Sequence, residues 1–136
     1  MKQYRPDAKV FYLTVKKSDN LIALLRQNMP QIIEPEKVIL SGGVWLNGKR
    51  INSTSTTITK GEHLKVYVCP NQGYHYNFNP NSIISECSDW VVVVKEPLVT
   101  IGMDRSNQYF NLMAGLNRFY GFSDLRSGVQ PITRLD

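Results

Sequence analysis

The 136-residue chain is 42% hydrophobic and 20% charged, enough for one ordinary domain or for a small domain joined to part of another. No apolar run approaches the roughly 18 residues of a membrane span, the candidate Trp90–Val94 being strand-sized, and Pro6 and Asp7 stand where a secretory leader needs its apolar core, so a soluble, cytoplasmic protein without a membrane partner is expected. The net charge of +5 is uneven: residues 1–68 carry eleven Lys/Arg against five Asp/Glu, and residues 69–136 carry five against six, which fits either a polyanion-binding portion joined to something else or a lysine-decorated surface.

Residues 8–15 (AKVFYLTV) alternate apolar and polar side chains, which predicts a strand running into Lys16-Lys17. Ser18 or Asp19 is placed to cap a following helix whose Leu21, Leu24 and Leu25 share one face, with Ile22 and Met29 flanking and Pro30 stopping the run. Pro35 suits the first turn of a second, short helix that has Val38, Ile39 and Leu40 to bury and exits through Gly42-Gly43. The stretch 44–52 (VWLNGKRIN) reads as a tight hairpin, because Asn47-Gly48 tolerates the two positive φ angles such a turn needs. Val44 and Leu46 then point one way and Trp45 the other. Beyond a Ser/Thr tract, Lys60-Gly61 turns into a strand with Leu64, Val66 and Val68 on one face.

Residues 69–81 change character, with two prolines, four asparagines and no charged residue, and read as a linker containing a domain boundary. Tyr74, Tyr76 and Phe78 there either stack on bases or, in the preferred reading, pin the linker to a neighbouring domain. A strand at 82–86, a turn at Cys87–Asp89 and a valine-rich strand at 90–97 follow, the last expected to be buried on both faces. A helix is predicted over 105–121, capped by Ser106 and ended by Gly121, with Tyr109, Leu112, Leu116 and Phe119 as its apolar stripe and Phe110, Met113 and Asn117 in a second row. A polar loop then leads to the closing GVQPITRLD.

The chain has no phosphate-binding glycine loop, no Gly-x-Ser-x-Gly elbow and no His-Glu-x-x-His helix, and neither His63 nor His75 is framed by a nucleophile. Cys69, Cys87 and the two histidines include no close Cys-x-x-Cys or His-x-x-x-His pair, so two unpaired thiols and no metal site are expected. Taken alone, Arg134 beside Asp136 is a surface ion pair of little worth.

Three motifs in order give that aspartate another meaning. Residues 20–68 contain two helices, then a Gly-x-Val-x-Val-Asn-Gly-Lys-like hairpin at Gly43–Lys49, then a Lys-x-Gly-Asp-x-Leu-x-Val-like strand at Lys60–Val66, with Glu62 in place of the aspartate. Residues 83–97 (IISECSDWVVVVKEP) pair two strands and run into a Lys-Pro-like element at Lys95 and Pro97, with Glu96 inserted. The last segment, GVQPITRLD, is similar to one ending in His-Arg-Leu-Asp, with Thr133 where the histidine stands. In this co-linear arrangement the chain resembles the N-terminal part of an RluA-like pseudouridine synthase, a large-subunit rRNA type, over almost its entire length.

The resemblance implies an α+β fold: a small two-helix and antiparallel-hairpin RNA-binding domain at 8–69, like that of a ribosomal small-subunit protein, a linker at 70–81, and at 82–136 the truncated start of a mixed-sheet catalytic domain. It implies Asp136 as the catalytic carboxylate, with Arg134 as its companion at the extruded base, and no cofactor. The expected partner is structured RNA, rRNA or tRNA, bound by a monomer. Lys16, Lys17, Arg26, Lys37, Lys49, Arg50, Lys60 and Lys65 are the candidate RNA-binding residues, Lys49 and Arg50 foremost at the hairpin, where ordinary solvated charge is the alternative. The related module carries arginines on its second helix, where this chain has mainly Lys37. As a fragment ending at its own catalytic residue, the chain is expected to turn over little by itself. A stand-alone RNA-binding module, or a protein-interaction adaptor on the same fold, are the rival readings.

Overall fold

The computed structural model describes residues 8–123 and 128–132. Over these residues the protein is mixed α+β, with three α-helices and antiparallel sheets. The chain divides into two units, the first running through Tyr74 and taking back Asp104–Gln108, the second formed by the rest. Among the described residues no helix is long and apolar enough to cross a membrane.

The first unit opens with the alternating segment as strand β1 (Lys9–Thr14), followed by β2 (Asp19–Asn20) and helix α1 (Leu21–Asn28). Helix α1 is capped by Asn20, whose Oδ1 accepts the Ile22 N–H at 2.9 Å. The expected caps lie one and two residues too early. Residues Asp19–Asn20 are held extended by pairing with β5 (Thr57–Ile58), while Ser18 Oγ accepts the Lys60 N–H instead. The helix closes where Met29 N–H reaches Leu25 O and Pro30 cannot continue the ladder.

Helix α2 (Pro35–Leu40) begins with its proline and leaves through Gly42 at φ +88°. Strands β3 (Val44–Leu46) and β4 (Lys49–Ile51) form the hairpin, with Asn47 at φ +48° and Gly48 at φ +83°, as the dipeptide predicts. With β6 (His63–Val68) they complete an antiparallel sheet of order β1-β6-β3-β4. One face of it carries Val44, Leu64 and Val66 against Leu21, Leu24, Leu25, Val38 and Ile39 of the helices, and this buried set is the unit's core. The period-two pattern therefore sets which side chains face the helices and which face outward.

The second unit has its own apolar cluster, in which Tyr76, Val99, Leu112 and Leu116 are buried. Tyr76 packs edge-on against Phe110 and Phe78 against Phe119, so these two aromatics of the predicted linker serve packing. Burial, and then the charge of Glu96, push the Tyr76 phenol above its ordinary pKa of 10.0.

Two expectations fail in this unit. Strands β7 (Ile83–Glu86) and β8 (Val91–Val93) pair with each other, with a register shift between Ile83 and Ser85, but the valine run is not buried on both faces. Val92 and Val94 are exposed, because the described residues put a cluster against only one side, through Val93. The predicted 17-residue helix is also halved: α3 runs only Leu112–Tyr120. Asn111, not Ser106, caps it, its Oδ1 accepting the Ala114 N–H at 2.8 Å, and Gly121 ends it at φ +79° as expected. Upstream, Asp104 Oδ1 gathers the N–H groups of Ser106 and Asn107 and the Ser106 hydroxyl into a tight turn. Short polar side chains of this kind offer the backbone an alternative to the helix. Of the predicted stripe, Leu112 and Leu116 are buried, whereas Tyr109 and Phe119 are exposed.

Candidate nucleic-acid interface

Four of the eight candidate cations come together at one end of the first unit. The turn after β1, the turn before β6 and the tip of the β3–β4 hairpin are fastened to one another by backbone bonds: Val15 N–H to Glu62 O at 2.9 Å, Gly61 N–H to Val15 O at 2.7 Å and Asn47 N–H to His63 O at 3.0 Å. Lys16 and Lys17 stand on the first turn, Lys60 on the second and Lys49 at the hairpin, all exposed.

Glu62 is the clasp. Its Oε1 accepts the Thr59 N–H at 2.7 Å and its Oε2 the Asn47 side-chain amide at 3.3 Å, while Asn47 Oδ1 accepts the His63 N–H at 3.1 Å. The residue that replaces the resemblance's aspartate is one methylene longer, and its two oxygens serve two different loops. Its charge is therefore engaged with neutral donors, and none of the four lysines forms an ion pair among the described residues. Four cations carried on turns that these backbone bonds fasten together make that end of the unit electropositive, which suits a polyanion.

The remaining candidates are placed differently. Arg26 bonds Glu36 at 2.7 Å and Lys37 bonds Glu34 at 3.0 Å, both exposed pairs that offset their own charge and add little to stability. The hydrogen bond from Lys37 to Glu34, and then that carboxylate's charge, raise the lysine's pKa above 10.5. Arg50 does not project from the hairpin tip. Its Nε donates to Gly42 O at 2.7 Å, its terminal nitrogen donates to Asp104 O, and its guanidinium lies 4.6 Å from the Trp45 ring centre. It ties the α2 exit and the 104–108 segment to the hairpin.

Lys65 belongs to a second group, on the sheet face turned away from the helices. In strand register Tyr12 stands opposite Lys65, Lys65 opposite Trp45, and Trp45 opposite Arg50, one row across all four strands. Arg105 crosses this row: its carbonyl accepts from Trp45 Nε1 at 2.9 Å and its guanidinium donates to the Tyr67 hydroxyl at 3.0 Å. Lys65 Nζ is 5.2 Å from the Tyr12 ring centre and 5.9 Å from that of Tyr67.

Tyr12, Tyr67 and Arg105 were not singled out by the sequence. The two tyrosines were legible in principle, since the alternation that sends Phe11 and Val66 inward sends Tyr12 and Tyr67 outward. Arg105 was not, because a helical reading of 105–121 points it elsewhere. Arg134 and Asp136, together with Thr133, lie outside the described residues. Among the described residues no group of three or more His, Cys, Asp or Glu is arranged to hold a metal, and Cys69 is buried while Cys87 is exposed. In comparisons with known proteins, no family profile matches the chain and no curated protein is significantly similar to it.

Proposed function

We propose that this chain is an RNA-binding protein of the pseudouridine-synthase type. Its first unit holds structured rRNA or tRNA through Lys16, Lys17, Lys49 and Lys60, and the carboxylate of Asp136, with Arg134 beside it, serves the isomerisation of a uridine. The observation that carries the reading is the gathering of four exposed lysines, with the nearby carboxylate of Glu62 bonded to Thr59 and Asn47 and that of Asp19 to the Asn20 N–H. The enzymatic part rests on the ordered resemblance of Gly43–Lys49, Lys60–Val66, the strand pair before Lys95 and the final Arg-Leu-Asp to one family.

The chemistry suits the residue types. Breaking the bond between the uracil nitrogen and ribose and rejoining the base through C5 calls for a carboxylate near the sugar and neither metal nor organic cofactor. The uridine must leave its stack to reach that group, so a basic surface that holds the surrounding RNA contributes directly.

RNA in which uridine is tritiated at C5 gives up that hydrogen to water when the base is rejoined. Tritium release that is slow, in keeping with the little turnover expected of this chain by itself, and that Asp136→Ala abolishes with RNA affinity unchanged within about twofold, is the expected result. Release unaffected by the substitution overturns the synthase assignment. The binding part is tested separately: Lys16→Ala, Lys17→Ala and Lys60→Ala combined should make the dependence of log affinity on log salt shallower by about 2 to 3.

A second reading, an RNA-binding module without catalysis, is favoured by the first unit's possession of its own core and of all four lysines. It predicts the same salt dependence with no tritium release.

A further inference from the structure

We infer that the outward face of the four-stranded sheet binds an unpaired RNA segment, with a base stacked on Tyr12 and the adjoining phosphate held by Lys65. This rests on the reading of the protein as an RNA binder and names a site and a substrate form beyond it.

An exposed tyrosine alone is unremarkable on a protein surface. What distinguishes Tyr12 is its place in the row. It is 72% exposed, at the β1 end of Tyr12–Lys65–Trp45–Arg50, while Trp45, third in the row, lies near both Arg50, at 4.6 Å, and Arg105, at 5.7 Å. The arginines brace Trp45 as part of the wall and leave Tyr12 as the one ring of the row with an open surface. Lys65 has its ammonium over that ring, 5.2 Å from its centre, on a flexible stem that can give way to a base and reach the adjoining phosphate.

The charge of the face suits an anion. It carries Lys65, Arg50 and Arg105. Of the nearby carboxylates, Glu62 is bonded to Thr59 and Asn47, and Asp104 is buried in its own turn.

The face also leads to the lysine cluster. Thr14 pairs with His63 two positions beyond the Tyr12–Lys65 pair, about 7 Å along the strands, and Lys16 and Lys17 follow after Val15. Bases in a duplex are stacked on one another and offer no free face to a tyrosine, so the occupant is unpaired RNA.

Fluorescence anisotropy of the full chain with a short labelled oligouridylate, and with an RNA duplex of equal length, tests this. Tyr12→Ala is expected to weaken the single strand about tenfold, leave the duplex unchanged and keep the salt slope, while Tyr12→Trp retains binding. Lys65→Gln should weaken the single strand and make its salt slope shallower by about one. Tyr12 is too exposed for its loss to unfold the sheet, and an unchanged thermal midpoint verifies that. If Tyr12→Ala leaves single-strand affinity unchanged, or weakens both RNAs equally, the stacking site is wrong while RNA binding stands. If the unaltered chain binds neither RNA, the underlying reading fails with it.

Discussion

Gly43→Ala is expected to destabilise the first unit by about 3 kcal/mol, seen as a fall in its thermal midpoint of more than about 10 °C. Gly43 has no special backbone angle to defend; its need is for space. A Cβ there would stand 2.5 Å from Tyr67 O, 2.5 Å from Gln72 Nε2 and 3.2 Å from Ser106 O. Tyr67 O is strand backbone and cannot step aside without disturbing β6, since Gly43 itself donates to Val38 O at 2.9 Å and accepts from Tyr67 N at 2.8 Å.

The second obstacle has a task of its own. Gln72 is buried in the notch that the missing methyl leaves, donating to Tyr67 O at 2.9 Å and Ser106 O at 2.8 Å and accepting from Cys69 N at 3.3 Å. Displacing it takes a donor from two buried carbonyls and an acceptor from the Cys69 N–H, so shortening Gln72 should not rescue the variant. Gly48→Ala is the control from the same hairpin. Nothing lies within 4 Å of its Cβ, but its φ of +83° costs a side chain about 1 kcal/mol. Equal losses at the two positions would show that crowding at Gly43 is not the cause.

Much of the first unit was legible because each element follows from a local rule. Alternation in KVFYLT gave a strand, Leu21, Leu24 and Leu25 gave a buried helix face, and Asn47-Gly48 gave the turn and the outward direction of Trp45. The second unit was harder for a physical reason. In DRSNQYFN the apolar spacing suits a helix as far back as Tyr109, but Asp104, Ser106 and Asn107 bond one another and the backbone more readily than they extend it. The valine run misled in a related way, since hydrophobicity states that a strand wants cover without stating what supplies it.

The candidate site divides along the same line. Lys16, Lys17, Lys49 and Lys60 lie near turns that sequence locates well, so their convergence follows from the sheet register. The pairing of Arg26 with Glu36, ten residues on, and the turn of Arg50 toward Gly42 O and Asp104 O depend on tertiary approach, which no short window encodes.

Asn117 should prove nearly as sensitive as Gly43, and its effect reaches toward the proposed chemistry. The side chain is fully buried on α3 and acts as a short strand: Nδ2 donates to Met113 O at 2.8 Å and to Val129 O at 3.3 Å, and Oδ1 accepts the Val129 N–H at 2.8 Å. One amide therefore satisfies both backbone groups of Val129. Gly128 makes room for it, because a Cβ at that position would come within 1.8 Å of Asn117 Oδ1. Asn117→Leu removes all three bonds at similar volume and should cost about 2 kcal/mol, with the Val129 amide exchanging its hydrogen at least about tenfold faster. Asn117→Asp distinguishes the hydrogen bonds from packing. The carboxylate still accepts from Val129 N–H but faces two carbonyls it cannot bond, and burial raises its pKa above the roughly 3.9 of free aspartate. The protonated acid can donate, so this variant's stability relative to the parent should be best below that value and decline as pH rises through the raised one. A pH-independent loss in Asn117→Asp, or unchanged exchange at Val129 in Asn117→Leu, would show that the amide does not hold this segment. If it does hold it, weakening the tether should depress tritium release more than RNA affinity, because Val129–Ile132 lead within four residues to Asp136 while the lysine cluster belongs to the other unit.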